Sequence, residues 1–214
     1  MRQPNETPAK VERMRLFVAL DVPEAVRDAL EVVARRFEKI YRGARWVRLT
    51  SAHVTLKFIG EVPIERVEHI RLALRQVHIS GPVELRFAGL GFFPNARRPR
   101  VFWAGVHSPE SHATSGKERQ GLSELGRLAG AVETALEPID IPREKREFSP
   151  HITLARFQST DGLDSLRAAA SELANSAFGS ALASEFHLYR SVLKRTGAEY
   201  TRLDTYRLSG ENTP

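Results

Sequence analysis

The sequence predicts a mixed α+β protein folded as two lobes that repeat one plan. The tetrapeptide His53-Val54-Thr55-Leu56 returns as His151-Ile152-Thr153-Leu154, each time inside a short hydrophobic run. Strand-like and helix-like segments interleave through the 214 residues, and their order recurs. The first half reads strand, helix, short strand, motif strand, helix, strand. From about Val101 the second half repeats that order and adds one terminal strand. Identity between the halves is faint outside the motifs, so the duplication rests on the order of elements. A pseudo-two-fold axis between the halves makes the motif strands symmetry mates and lets their His and Thr faces line one groove.

Each element follows from local pattern. Residues 1–13 are polar, lack apolar periodicity and read as a flexible extension. Ordered structure is expected from Met14, where Leu16 to Leu20 form a buried strand. Asp21 and Pro23 open a helix, with Asp21 or a neighbour near the cap, Pro23 near the first turn, and Val26, Leu30, Val33 and Phe37 at helical spacing. Trp46-Val47 is a short strand, and Ala52–Ile59 carries the first motif until Gly60 and Pro63 break it. Ile64, Val67, Ile70, Leu74 and Val77 mark a second helix, ended by Gly81-Pro82. Val83–Phe93 is extended, and Pro94–Arg100 is a basic turn-rich loop.

In the second half Val101–Val106 is a strand, followed by the polar stretch Ser108–Gly121. Leu122, Leu125, Leu128, Val132 and Leu136 share a helix face, and Pro138 and Pro142 frame a connection. Glu147–Phe157 carries the second motif. Leu163, Leu166, Ala170 and Leu173 mark another helix, and strands around Ala183–Leu193 and Glu199–Leu208 close the chain at a turn on Gly197.

Bulk composition narrows the function. An apolar fraction of 42% with 27% charged residues is that of an ordinary globular protein. No apolar run approaches the roughly 20 residues of a membrane span, and no secretion signal opens the chain. Zero cysteines exclude disulfides, thiolate nucleophiles and Cys-ligated metal centres, and the cytoplasm is the expected compartment. The net charge of +6 favours an anionic partner, and its spread along the chain argues against a polybasic tail.

The motifs carry proton chemistry. On a strand His and Thr at i and i+2 share one face, while Val54 and Leu56, or Ile152 and Leu154, face the core. Hydrolysing a phosphodiester needs no cofactor when one group takes a proton from water and another protonates the departing oxygen. Imidazole serves either role, since its ordinary pKa lies near 6.5. The Thr hydroxyls suit the non-bridging oxygens, and cations suit the charge developing there. Lys57 and Arg156 are the nearest cations. Regular alternation puts Lys57 beside His53 and Thr55 but sets Arg156 on the face opposite His151, reachable only past the strand end or through a bulge.

Competing assignments are weaker. A single His on a half-buried strand is more often structural, and Thr is common in strands; recurrence is what raises the signal. One imidazole per motif falls short of the three protein ligands usual for catalytic zinc, and no His-Glu-x-x-His helix adds more. No metal or cofactor is therefore expected. His69, His78, His107, His112 and His187 show no pairing and read as surface or loop residues. Ser115-Gly116-Lys117 resembles a phosphate-loop end, but Ser111 stands where a Gly is required, and Gly89-Leu90-Gly91 lacks a third Gly. Phe58, Phe92, Phe93, Trp103 and Phe157 include candidates for base stacking, though most fit a core better.

These residues resemble the two-histidine, LigT-like phosphoesterases, and within them the RNA 2′,3′-cyclic phosphodiesterase branch, also called 2′-5′ RNA ligases. The resemblance is carried by Arg15–Leu20, by Trp46-Val47 leading into His53–Gly60, by Gly89–Asn95 with Pro99–Val106, and by Phe148–Arg156. Phe178-Gly179-Ser180 and Leu188–Leu193 extend it to about Leu208. It implies a two-lobed α+β fold with antiparallel sheets flanking a groove and helices outside. It further implies metal-free opening of a 2′,3′-cyclic phosphate to a 2′-phosphomonoester, with His53 as proton donor and His151 as acceptor. Thr55, Thr153 and Arg156 become the substrate-binding residues. The expected partner is an RNA bearing a 2′,3′-cyclic phosphate end, such as a tRNA fragment, or a small cyclic nucleotide, met by a monomer. Reversible 2′-5′ end joining and a non-catalytic RNA-end-binding module are the alternatives.

On this reading residues 14–210 form one bilobal domain, with halves of about 14–95 and 99–210 and a tail at 211–214. Residues 1–13 precede the usual family start, which makes Met14 a candidate initiator, and Ser108–Gly121 is longer than the corresponding connection.

Overall fold

A computed structural model describes residues 12–108, 123–159, 161–194 and 197–208. Residues 109–121 of the Ser108–Gly121 stretch, which include His112 and the Ser115-Gly116-Lys117 segment, and nearly all of the 1–13 extension lie outside the described residues.

The first half forms β1 (Arg13–Asp21), α1 (Glu24–Ile40), β2 (Ala44–Trp46), β3 (His53–Pro63), α2 (Val67–Arg75) and β4 (Val83–Phe93). The second forms β5 (Val101–His107), α3 (Glu124–Leu136), β6 (His151–Phe157), α4 (Asp164–Glu172), β7 (Ala177–Ala183), β8 (Glu185–Lys194) and β9 (Gly197–Arg207). Apolar spacing explains the helices. Val26, Leu30, Ala34 and Phe37 make the buried stripe of α1, and Leu125, Leu128, Ala129, Val132 and Leu136 that of α3. Ser123 caps α3 by accepting from the amide of Gly126.

Two antiparallel sheets result, one of four strands in the order β3-β1-β8-β9 and one of five in the order β2-β6-β5-β4-β7. Apart from edge strand β2, the sheets match strand for strand, with β3 equivalent to β6, β1 to β5, β8 to β4 and β9 to β7. The duplicated plan is thus present, with strands exchanged. β4, from the first half, lies beside β5, while β8 returns to flank β1 and β9 pairs with β8 at the edge. Helices α2 and α3 lie against the first sheet through β9 and β3, and α1 and α4 against the second through β7 and β4. Phe37 of α1 meets Phe102 of β5 at 5.0 Å between ring centroids, and both are fully buried. Burying such a side chain contributes about 1.5–3 kcal/mol. Among the described residues no helix is long and apolar enough to cross a membrane.

Several elements differ from the sequence expectation. β3 does not stop at Gly60. It continues to Pro63, and Gly60 takes φ 86° at a bulge where the register shifts between Leu16 and Phe17 of β1. The second helix ends at Arg75, short of Val77, and β6 begins only after Pro150. Of the two cap alternatives the neighbour holds: Asp21 ends β1, and Pro23 occupies the cap position of α1, just before the first turn. The short strand of the first half has no counterpart before β6 among the described residues, and β7 is a strand that local pattern did not mark. Its Ala-Phe-Gly-Ser-Ala-Leu-Ala sequence has weak strand propensity and is held by pairing with β4.

Candidate active site

The two sheets adjoin where β3 and β6 approach each other, and this brings the motifs together. His53, Thr55, His151 and Thr153 are all half-buried, while Val54, Leu56, Ile152 and Leu154 are buried in the core, as alternation requires. The imidazoles are close enough for the charge of His151 to act on His53.

Each imidazole is held in the same way. Nδ1 of His53 donates to the carbonyl of Ser51 at 3.1 Å, and Nδ1 of His151 donates to the carbonyl of Ser149 at 2.8 Å. A carbonyl only accepts, so the proton sits on Nδ1 and Nε2 is left free to exchange protons. The first ring packs on Phe17 at 4.7 Å and against Tyr200 at 5.0 Å, and the second against Phe93 at 4.9 Å.

Strand parity changes just after each motif. Between Thr55 and Lys57 the register with β1 shifts, and between Thr153 and Ala155 the register with β5 shifts in the equivalent place. The bulge turns two successive residues inward. Leu56 and Lys57 are both buried in β3, and Leu154 and Ala155 in β6. Lys57 therefore leaves the site face. Its Nζ donates to Glu133 Oε1 at 2.9 Å and to the carbonyl of Pro142 at 2.6 Å, on the side of α3. Arg156, by the same shift, joins the face of His151 and is exposed. The expectation of Lys57 as a site cation is corrected, and the bulge that Arg156 needed is present.

The two half-sites then differ in charge. On β1 Asp21 is the cross-strand partner of His53, whereas Gly105 holds the equivalent place opposite His151. Burial lowers the pKa of both histidines. For His53 the hydrogen bond to Ser51 and the Asp21 carboxylate oppose that shift, and for His151 the Arg156 guanidinium adds to it. Asp21 accepts hydrogen bonds from the hydroxyl of Tyr189 and from Arg202.

His187 is not a surface residue. It is 1% exposed on β8, with Nδ1 3.0 Å from Thr205 Oγ1 and Nε2 3.6 Å from Asp21 Oδ2. His69, His78 and His107 are exposed as expected. Among the aromatics, Phe92 and Phe157 pack toward Phe102 and Tyr41. Phe58 is 55% exposed beside Phe17, and Trp103 packs on Phe93 at 5.1 Å. Gly91 admits the Trp103 indole, since a Cβ there would lie 2.2 Å from the ring. Sequence reading missed Phe17, Tyr189 and Tyr200 as site neighbours. The strands bearing Phe17 and Tyr189 were legible, but which sheet β8 and β9 would join was not.

Among the described residues no three His, Asp or Glu side chains are grouped to hold a metal ion.

The sequence profile of the LigT like phosphoesterase family matches residues 20–103 and 117–200, one motif in each segment. The chain belongs to that family. It is 36% identical over 204 residues to an RNA 2′,3′-cyclic phosphodiesterase of Thermus thermophilus, covering 93% of this chain and 92% of the relative. A second relative of that name, from Archaeoglobus fulgidus, is 32% identical over 195 residues, covering 90% and 99%. A crystal structure of a Thermus thermophilus protein superimposes with TM-score 0.71 at 33% identity, covering 93% of this chain and all of that one. The crystal structure of E. coli LigT complexed with 3′-AMP gives TM-score 0.67 at 25% identity, covering 92% and 99%.

Proposed function

We propose that this protein hydrolyses RNA 2′,3′-cyclic phosphate ends to 2′-phosphomonoesters through paired-histidine acid–base catalysis. The observation that carries the reading is the matched anchoring of Nδ1 of His53 on Ser51 and Nδ1 of His151 on Ser149, which leaves both Nε2 atoms available for proton exchange. The chemistry balances without a cofactor. Water attacks phosphorus as Nε2 of His151 takes its proton, and the bond from phosphorus to the 3′ oxygen breaks as Nε2–H of His53 protonates that oxygen. Thr55 and Thr153 hold the non-bridging oxygens, and Arg156 offsets the charge that grows on them.

The opposed charges beside the imidazoles support that order of roles, because Asp21 favours a protonated His53 and Arg156 a neutral His151. Family membership and the similarity to RNA 2′,3′-cyclic phosphodiesterases support the substrate. We further read the protein as a cytoplasmic monomer acting on RNA fragments, and gel filtration tests the monomer.

The activity is tested with EDTA-treated protein and a short RNA ending in 2′,3′-cyclic phosphate. The expected product is a 2′-phosphate end. A 3′-phosphate product, or activity abolished by the chelator, overturns the mechanism, and tight binding without turnover favours an RNA-end-binding module instead.

A further inference from the structure

Arg45 of β2 and Arg156 of β6 are cross-strand partners. Trp46, next to Arg45, turns the other way onto core residue Phe102, so both guanidiniums rise from the site face of the sheet. Like charges directly opposite on adjacent strands repel. No carboxylate balances this pair: among the described residues neither arginine forms an ion pair, and both are exposed.

Their reach differs. Arg156 acts on His151 across the strand face. Arg45 stands one strand farther out, and its guanidinium extends toward the other sheet, 4.0 Å from where a Cβ on Gly197 of the β8–β9 hairpin would lie. The arginines thus bracket a place beside the histidine pair, at the edge of the second sheet. A facing pair of guanidiniums with no protein anion between them is suited to a phosphate.

We infer that Arg45 and Arg156 form a subsite for the phosphate on the 5′ oxygen of the terminal nucleoside. Arg156 then serves two neighbouring phosphates and Arg45 only the upstream one. This deepens the proposed activity, on which it rests. It assigns the substrate class as a cyclic-phosphate end that carries a 5′ phosphate, as every nucleotide within an RNA chain does, in preference to a bare nucleoside cyclic phosphate. The +6 net charge of the chain is consistent with a polyanionic partner.

The test compares adenosine 2′,3′-cyclic phosphate, its 5′-phosphorylated form and the ApA dinucleotide cyclic phosphate. In the native protein the two substrates with a 5′ phosphate should show kcat/KM about 10-fold or more above the one without, the scale of one charge-assisted hydrogen bond. Arg45→Gln should bring that ratio toward one, and Arg45→Lys should restore part of it. The salt dependence of KM for the dinucleotide should lose about 0.7 in its logarithmic slope in Arg45→Gln. A native ratio near one overturns the subsite, as does an Arg45→Gln protein that loses rate on all three substrates in proportion. A gain confined to the 5′ monoester overturns the assignment to an internal phosphodiester. If none of the three is turned over, it is the proposed activity that fails. Anisotropy binding of the 2′-phosphorylated dinucleotide then decides the subsite, weaker in Arg45→Gln if it exists and equal if it does not.

Discussion

Asp21, the last residue of β1, lies directly across the ladder from His53, whereas the pseudo-symmetric place opposite His151 is a glycine, Gly105. The converse holds past the motifs, where Arg156 follows His151 and the equivalent position after His53 is the exposed Phe58. Two imidazoles with the same sequence context and the same backbone anchor therefore sit in fields of opposite sign. Other groups packed around His53 are Tyr200 and Phe17, while Tyr189, Arg202 and His187 surround Asp21 and Glu185 lies 3.6 Å from His187.

Asp21→Asn should lower the pKa of His53 further, because burial then acts with one less opposing charge. If His53 is the donor as proposed, the alkaline limb of kcat/KM should move to lower pH. Arg202→Gln releases the Asp21 carboxylate from its cation and should move the limb the other way. Imidazole NMR titrations read the same displacement directly. A purely structural role for Asp21 would lower stability and leave both the limb and the His53 titration in place.

Replacing His53 or His151 with Ala should each reduce turnover of a cyclic-phosphate RNA by about 10²-fold or more. The double variant should fall little further, since the groups act as a unit. Single-turnover assays separate this from a change in binding, and near-native turnover in either single variant contradicts the paired roles.

Lys57 is 2% exposed, and Glu133 meets it from α3. Glu133→Ala strands that cation in the core and should cost about 3–5 kcal/mol, seen as a lower urea midpoint at unchanged slope. Lys57→Met removes the charge together with its partner's role and should cost less. Because the ammonium lies on the core side of β3, Lys57→Met should also keep turnover near the native level. A large loss in kcat would return Lys57 to the site.

Burial lowers the pKa of His53, His151 and His187 in the folded protein. Below about pH 6.5 the unfolded chain binds protons that the folded chain resists, so the unfolded state carries the excess and stability falls with pH. Their contribution is present above about pH 6.5 and is lost as the solution is acidified. Chemical denaturation from pH 7.5 to 5.5 should show this decline, with a shallower slope in His187→Gln. An unchanged slope in that variant would show that the protonation of His187 does not differ between the two states.

Much of the fold was legible because it rests on local pattern. Apolar spacing marked the four helices, and the recurrence of His-x-Thr-x marked two equivalent strands and the pair of residues at the centre of the site. The sites of Lys57 and Arg156 were not legible by alternation, since each depends on a bulge that exists only when β3 meets β1 and β6 meets β5. His187 read as a surface or loop residue because nothing in its neighbours announces that this part of β8 will be covered on both sides.

The sequence by itself determined the helices, the motif strands and the chemistry that two imidazoles and two hydroxyls can perform, all properties of residues within a few positions of one another. Only the tertiary structure decided which charges those imidazoles feel. Asp21, Tyr189 and Arg202 are remote in the chain, and they meet because β8 and β9 cross back to the sheet of β1. Arg45 faces Arg156 for the same kind of reason, through the pairing of β2 with β6. Strand exchange between the halves is a long-range choice, made by the burial of both sheets against their helices, and local pattern does not encode it.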